Sequence, residues 1–156
     1  MNTIRPGIPV RATVMITFAG TNGWLLGRSP QAHHGWTLPG GHVIPGEAPS
    51  RTIVRELRGA LGLDLNHSFL KIIMWTAPTD PERPDYFTYV FDLGEIETDF
   101  HIVPKQDEMG AWQWVERSLI PEMVNLVEAK RIQELLSGWH AGGSLYMEQW
   151  SGGLPL

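Results

Sequence analysis

Short apolar runs separated by polar and glycine-rich stretches predict strands in the N-terminal part of the chain. Residues 11–18 (RATVMITF) are rich in β-branched side chains and predict a buried strand. Residues 23–28 (GWLLGR) predict its hairpin partner after a turn at 20–23. A polar loop follows at 29–35, and two short strand-like pieces are expected at 36–38 and 41–44.

A four-residue apolar period then predicts the first helix, over residues 49–61. Proline is favoured at a first helical position, and Gly62 suits the left-handed conformation that commonly follows a helix end. Ile53, Leu57 and Leu61 would form one buried stripe.

The remaining pattern predicts more strands and a second helix. Residues 77–85 (APTDPERPD) form a proline-broken loop that can continue neither neighbouring strand. The elements that we expect are strands at 69–76, 86–93 and 111–115, and a helix at 121–136. The tail, 137–156, gives no readable conformation. This order of elements predicts a mixed α/β or α+β sandwich.

Composition narrows the class of protein. The chain has 156 residues, of which 42% are hydrophobic and 19% charged, which predicts a single globular domain rather than a disordered chain. A net charge of −5 disfavours binding to nucleic acid or to an anionic membrane. Without cysteines there is no disulfide or thiol nucleophile. No apolar signal core or membrane-length stretch is visible, so a cytoplasmic protein is expected.

One segment, residues 38–63 (LPGGHVIPGEAPSRTIVRELRGALGL), carries a recognisable motif. It resembles the Nudix hydrolase box: a glycine, five residues, a glutamate, seven residues, then Arg-Glu-apolar-any-Glu-Glu-any-Gly-apolar. The positions in register, without a gap, are Gly41, Glu47, Arg55, Glu56, Leu57, Gly62 and Leu63. The resemblance implies an α-β-α sandwich with a mixed sheet. It predicts one Nudix domain over 1–156, with a core at about 8–136.

The resemblance also implies a chemistry, since Nudix enzymes cleave a diphosphate joined to another group with the help of Mg²⁺ or Mn²⁺. Glu56 would serve as metal ligand or general base. The backbone carbonyl of Gly40 and a later-loop carboxylate, Glu108, would complete the metal site, with Asp107 as the alternative to Glu108. Glu47 and Arg55 would pair to hold the loop, with Gly41 and Gly62 as further framework residues of the box.

The chain departs from the family pattern at Gly59 and Ala60, where the box has adjacent glutamates. Helix positions 56, 59 and 60 share one face, so three carboxylates there would surround the metal-bound diphosphate. Here Glu56 alone supplies a carboxylate, and Arg58 adds positive charge nearby. We therefore expect weak or single-site binding of Mg²⁺ or Mn²⁺.

Several other residues are candidates for ligand contact. Arg28, His42 and Arg51 are candidate phosphate-binding residues, with solvated surface charge as the alternative. His33 and His34 could join His42 in a zinc site, but the spacing fits no common zinc pattern. A planar group could stack on one of the aromatic side chains, for which the candidates are Trp24, Trp75, Trp112 and Trp150.

Three functional hypotheses follow. The leading one is a Mg²⁺-assisted hydrolase of a nucleoside diphosphate derivative or related organic diphosphate. The second is a Nudix-fold module that binds a nucleotide-like ligand without hydrolysing it, and the third is a different reaction on the same scaffold. The expected partner is a small nucleotide or diphosphate. Dimers are frequent in the family, so a homodimer is a further expectation.

Overall fold

The computed structural model describes residues 7–28, 35–63, 67–97, 111–125, 129–130, 132–133 and 144–150. The strands are β1 (Val10–Phe18), β2 (Gly23–Arg28), β3 (Gly40–His42), β4 (Phe69–Ala77), β5 (Tyr86–Ile96), β6 (Ala111–Glu116) and β7 (Leu145–Trp150). The helices are α1 (Pro49–Leu61), a 3₁₀ turn (Arg117–Leu119) and α2 (Ile120–Met123). None of the helices in these ranges is both long and apolar enough to cross a membrane.

The seven strands form one mixed sheet, in which six follow the order β6-β2-β1-β5-β4-β7 and β3 pairs with β1 off this path. The central strand, β1, pairs in parallel with β5 along one edge. The other edge of β1 is shared, since β3 pairs with its first half and β2 with its end. β3 is therefore fixed beside residues 11–13 of β1, which places the following loop and α1 at that end of the sheet.

Side chains on the two faces of the sheet enter two separate cores. Ala12, Val14 and Ile16 of β1 pack in one cluster with the apolar stripe of α1. Met15, between them in sequence, packs against the second cluster, which contains Ile120 and Ile132. Because successive strand residues face opposite sides of the sheet, the two clusters lie on opposite faces. Helical residues pack in each of them. The predicted α+β sandwich with a mixed sheet is confirmed.

α1 begins and ends at the predicted residues. Ile53, Leu57 and Leu61 are each at most 3% exposed, as the four-residue period indicates. Gly62 adopts the left-handed conformation, with φ 66° and ψ 15°. Its N–H donates to the Arg58 carbonyl, and the Leu63 N–H donates to the Leu57 carbonyl, so the last turn is capped.

The prediction of one continuous helix over 121–136 is wrong. α2 stops at Met123, and Val124 is extended, with φ −105° and ψ 162°. Val124 forms a parallel bridge with Trp36, whose N–H donates to the Met123 carbonyl at 3.1 Å. Pairing with the segment before the box therefore outweighs the local helical pattern. Helical residues recur at 129–130 and 132–133.

Two features of the sheet go beyond the sequence pattern. β7 lies in the tail for which no conformation could be read, and it pairs in parallel with β4 from Ile72↔Leu145 to Ala77↔Trp150. β5 continues to Ile96 instead of ending at residue 93, passing through Gly94 at φ 82°. The pieces predicted at 36–38 and 41–44 are reduced to isolated bridges at Trp36 and Thr37 and to the three-residue β3.

Candidate active site

Two glycines in β3 bring α1 and the sheet close together at the box. A Cβ atom at Gly40 would overlap the Ala12 carbonyl oxygen of β1, and one at Gly41 would overlap the Glu56 carboxylate of α1. Glycine at Gly40 is therefore a packing requirement, whereas at Gly41 its absence of a side chain leaves room for the Glu56 carboxylate. The second contact places the Glu56 carboxylate directly against the β3 backbone.

Arg55 links the loop, α1 and β3. Its Nε and Nη2 atoms donate to the two Glu47 carboxylate oxygens at 2.9 and 3.0 Å. Nη2 also donates to the His42 carbonyl at 3.0 Å, and Nη1 donates to Glu56 Oε1 at 2.8 Å. The predicted Glu47–Arg55 ion pair is thus present, in the two-pronged form that guanidinium and carboxylate geometry favours. One side chain holds the loop and orients Glu56.

Glu47 is fully engaged by this framework. Thr52 Oγ1 donates to Glu47 Oε1 at 2.5 Å, from a threonine that is completely buried. Hydrogen bonds from Arg55 and then Thr52 lower the pKa of Glu47 from 4.5 to about 2. This carboxylate is therefore ionised at neutral pH and committed to the loop, which leaves Glu56 as the box carboxylate suited to chemistry.

The register of β3 orients the Gly40 carbonyl. Val14 N–H donates to the Pro39 carbonyl at 2.8 Å, and Val43 N–H donates to the Val10 carbonyl at 2.9 Å. In an antiparallel ladder, hydrogen-bonded and non-hydrogen-bonded pairs alternate, so Gly40 falls in a non-hydrogen-bonded pair with Thr13. Its carbonyl oxygen consequently points away from β1, as a metal ligand at this position would require.

The described residues offer few metal ligands. None of their histidine, aspartate and glutamate side chains form a group of three or more that could hold a metal ion. Glu56, whose side chain is 23% exposed, and the Gly40 carbonyl provide hard oxygen donors of the kind that Mg²⁺ prefers. Glu108 lies outside the described residues, as do His33 and His34. The donor chemistry fits one Mg²⁺ that keeps several water or substrate ligands.

His42 lies next to a cation that the sequence pattern did not single out. It pairs with Arg11 across β3 and β1, so the two side chains share the face of the sheet opposite α1. Partial burial lowers the pKa of His42, and the charge of Arg11 lowers it further. Arg11 Nε is buried without a hydrogen-bond partner among the described residues. A nearby anion would stabilise this pair of basic groups.

The other two candidate phosphate-binding residues are exposed. Arg28 ends β2, and Arg51 lies in the first turn of α1, where its N–H donates to the Ala48 carbonyl at 2.9 Å. Within the described parts of the chain, neither guanidinium group shares a hydrogen bond or an ion pair with His42. Their roles stay predictions.

Sequence reasoning missed Arg11 and Thr52. A weak signal existed for Arg11, which is a charged residue at the start of an otherwise apolar strand. Thr52 follows Arg51 on the first turn of α1, five residues after Glu47, and its hydroxyl could have been suspected as a loop anchor. Both roles depend on contacts between separate segments, which periodicity does not report.

Comparison with known proteins agrees with this geometry. The family model described as NUDIX domain matches residues 8–135. The asymmetrical bis(5'-nucleosyl)-tetraphosphatases of Sus scrofa and Mus musculus are 30% and 28% identical over 122 residues, covering 74% of this chain and 76% of each relative.

Solved structures share the fold. The MutT protein of Bacillus halodurans superposes with a TM-score of 0.69 at 17% identity, over 93% of this chain and 92% of that one. A C. elegans Ap4A hydrolase superposes with a TM-score of 0.59 at 20% identity, over 86% and 99%. At these low identities the solved structures show only that the fold is shared. The family model matches most of the sequence and therefore shows the family. The chain belongs to the NUDIX domain family.

Proposed function

We propose that this protein is a Mg²⁺-assisted hydrolase of nucleoside diphosphate derivatives, working with a reduced metal site. The observation that carries the proposal is the position of Glu56, which Arg55 orients at 2.8 Å and which rests against Gly41. This contact places a carboxylate next to the Gly40 carbonyl, and the two together supply the hard oxygen donors that Mg²⁺ prefers. Membership of a family with hydrolase relatives supports the same general activity.

The proposal assigns metal binding, proton transfer and positioning to named residues of the site. Glu56 and the Gly40 carbonyl would hold Mg²⁺, with Glu108 as a further ligand. When bound, Mg²⁺ would offset the charge of the diphosphate oxygens. Glu56 or Glu108 would accept a proton from water as its oxygen bonds to phosphorus, while the bridging P–O bond breaks and its electrons stay on the departing phosphate. Arg55 keeps Glu56 in place through the Glu47 pair.

Basic groups on the other side of β3 would bind the rest of the anionic substrate. Arg11 and His42 lie on the face of the sheet opposite α1, at the end of the sheet where β3 pairs with β1. Arg28 and Arg51 are further candidates for phosphate contact. Because the curated relatives carry the name bis(5'-nucleosyl)-tetraphosphatase, dinucleoside tetraphosphates are the first substrates to test.

The test is product analysis over a substrate panel. The purified protein is incubated with dinucleoside tetraphosphates, ADP-ribose, nucleoside triphosphates and nucleoside diphosphate sugars, with Mg²⁺ or Mn²⁺, and nucleotide products are separated by chromatography. We expect turnover of at least one class. Glu56→Gln should reduce it by about 100- to 10,000-fold, the usual range for loss of a general base.

A matched control isolates the role of position 56. Glu82→Gln changes an exposed carboxylate in the β4–β5 loop and should leave turnover unchanged. Tight nucleotide binding without product under every metal condition would contradict the proposal. That outcome would support the rival function, a ligand-binding module, which Gly59 and Ala60 motivate because they remove two carboxylates from the box.

A further inference from the structure

A cavity of about 300 Å³ lies away from the box. Met15 and Thr17 of β1 line it, whereas β3 pairs with residues 11–13 at the other end of that strand. Met15 also packs with the cluster on the face opposite α1. The cavity and the Glu56 carboxylate are therefore separated along β1 and lie on opposite faces of the sheet.

Four charged side chains line this cavity: Lys71, Asp92, Glu95 and Arg117. In the described part of the chain, neither of the two cations, Lys71 and Arg117, forms an ion pair with Asp92 or Glu95. Opposite charges facing one cleft without contacting each other are complementary to a ligand that carries both signs.

Local structure positions two of these four charges, Asp92 and Arg117. Asp92 Oδ1 accepts a hydrogen bond from the Gly94 N–H at 2.8 Å, where Gly94 has a positive φ of 82°. Arg117 Nη2 donates to Asn22 Oδ1 at 2.7 Å, and its N–H donates to the Asn22 carbonyl at 3.0 Å. Both carboxylate and guanidinium are thus positioned before any ligand arrives, which lowers the cost of binding.

Two irregularities of the sheet fall at the same place. Pairing between β4 and β5 shifts between Leu70 and Ile72, so Lys71 is the extra residue. Pairing between β1 and β5 shifts after Met15, where Leu93 is the residue passed over, next to Asp92. Bulges redirect neighbouring side chains and are over-represented beside functional sites. Both bulges of the described sheet therefore adjoin charges of this cavity.

We propose that this cavity binds a compact zwitterion, an ammonium and a carboxylate joined by a short aliphatic stem. Asp92 and Glu95 would receive the ammonium group, and Lys71 and Arg117 the carboxylate. Trp24, which is 2% exposed, and Met15 provide apolar surface for the stem. The volume is at the lower end of the range for small-ligand sites, about 300–1,000 Å³.

The test is a titration followed by ¹H–¹⁵N NMR with glycine, β-alanine, 4-aminobutyrate and 5-aminopentanoate, which vary the distance between the two charges. Butyrate and butylammonium serve as singly charged controls. We expect saturable shifts of the Asn22 and Gly94 amides with at least one amino acid, and weaker binding of both singly charged compounds. Lys71→Met and Asp92→Asn should each weaken binding about tenfold, since each removes one charged partner.

Two control variants make the same chemical changes away from the cavity, to measure how far a change in net charge alone alters affinity. Lys130→Met and Asp85→Asn alter exposed side chains that do not line the cavity and should leave affinity unchanged. Shifts that appear only around Glu56 and Arg55, equal shifts with the singly charged compounds, or no shifts at all would each overturn the proposal. The measurement requires no turnover, so failure of the proposed hydrolase activity would not affect it.

Discussion

Gly40 and Gly41 are neighbours in β3, but a side chain at each would meet different atoms. At Gly40 the obstacle is the Ala12 carbonyl, which belongs to the central strand and cannot move without disturbing the sheet. At Gly41 it is the end of the Glu56 side chain, which can rotate away. The same substitution should therefore damage stability at one position and catalysis at the other.

Gly40→Ala should lower the free energy of unfolding by about 3 kcal/mol, the upper part of the range for overpacking. Gly41→Ala should cost less stability but reduce turnover strongly, because it displaces Glu56. Urea unfolding and initial-rate assays on both variants measure the two effects. Gly7→Ala, at an exposed glycine with no neighbouring atom within 4 Å, is the control. Equal losses of stability in both box variants would contradict this division.

The box residues could be predicted from sequence because their spacing is local and fixed. Glu47, Arg55 and Gly62 occupy the expected conformations or contacts. Arg11 and Thr52 could not be found in the same way. Arg11 lies beside His42 only through the pairing of β1 with β3, and Thr52 contacts Glu47 only because the loop folds back onto α1.

At the scale of elements, the junction between β3 and α1 is held by one carboxylate with three hydrogen bonds from side chains. Glu47 accepts from Arg55 Nε, Arg55 Nη2 and Thr52 Oγ1. All three contacts favour the ionised form. The loop is therefore more firmly attached to α1 when Glu47 carries its negative charge.

The junction should weaken in acid. Since folding lowers the pKa of Glu47 from 4.5 to about 2, its stabilisation is fully present above pH 4.5 and is lost as the pH falls towards 2. Glu47→Gln should therefore destabilise the protein at neutral pH, with a difference from the parent that shrinks between pH 4.5 and 2. Urea unfolding at several pH values measures it. A difference that stays constant over this range would be inconsistent with the ion pair as its source.

The last turn of α1 allows a test of the two carboxylates that the box lacks in this chain. Gly59→Glu with Ala60→Glu adds two acidic groups at i+3 and i+4 from Glu56. We expect Mg²⁺-dependent turnover to rise about 10- to 100-fold. Mutual repulsion should lower the melting temperature in EDTA, and added Mg²⁺ should restore it.

Gly59→Ala is the matched control for the helix itself. It should raise stability by about 1 kcal/mol through helix propensity alone, without any dependence on Mg²⁺. If turnover and melting temperature of the variant with Gly59→Glu and Ala60→Glu do not change with Mg²⁺, residues 59 and 60 do not face the metal.

Elements that form from local pattern were predictable, and those that depend on distant partners were not. α1 has its own apolar stripe, an N-terminal proline and a capping glycine, so its bounds match the prediction. The helix expected over 121–136 had a helical pattern too, but Trp36 draws Val124 into an extended bridge. Tertiary pairing there overrides propensity.

For the whole molecule, the tail supplies part of the sheet. β7 follows β4 in parallel over six registered pairs, and Ser144 Oγ donates to the Leu70 carbonyl at 2.8 Å. Leu145 and Met147 pack against the core on the face opposite α1. A domain core bounded at residue 136, as the sequence suggested, would leave β4 without this neighbour.

Removal of residues 144–156 should therefore destabilise the protein as a whole, because β4 loses its pairing with β7 and the core loses the side chains of Leu145 and Met147. We expect a loss of at least about 2 kcal/mol in urea unfolding, comparable to truncating one buried side chain. A shorter deletion, of residues 151–156, keeps β7, so the difference in unfolding free energy between the two truncated proteins isolates the contribution of residues 144–150. Equal stability of the two truncated proteins would show that β7 contributes nothing.

The parallel pairing of β4 with β7 also has a consequence for biosynthesis. Residues 69–77 leave the ribosome long before residues 145–150, so the nascent chain carries β4 with its outer backbone groups unsatisfied throughout that interval. A newly made molecule in this state can recruit a strand from another polypeptide. The yield of correctly assembled protein should thus depend on how quickly synthesis of residues 145–150 follows, and on chaperones that shield that edge of β4.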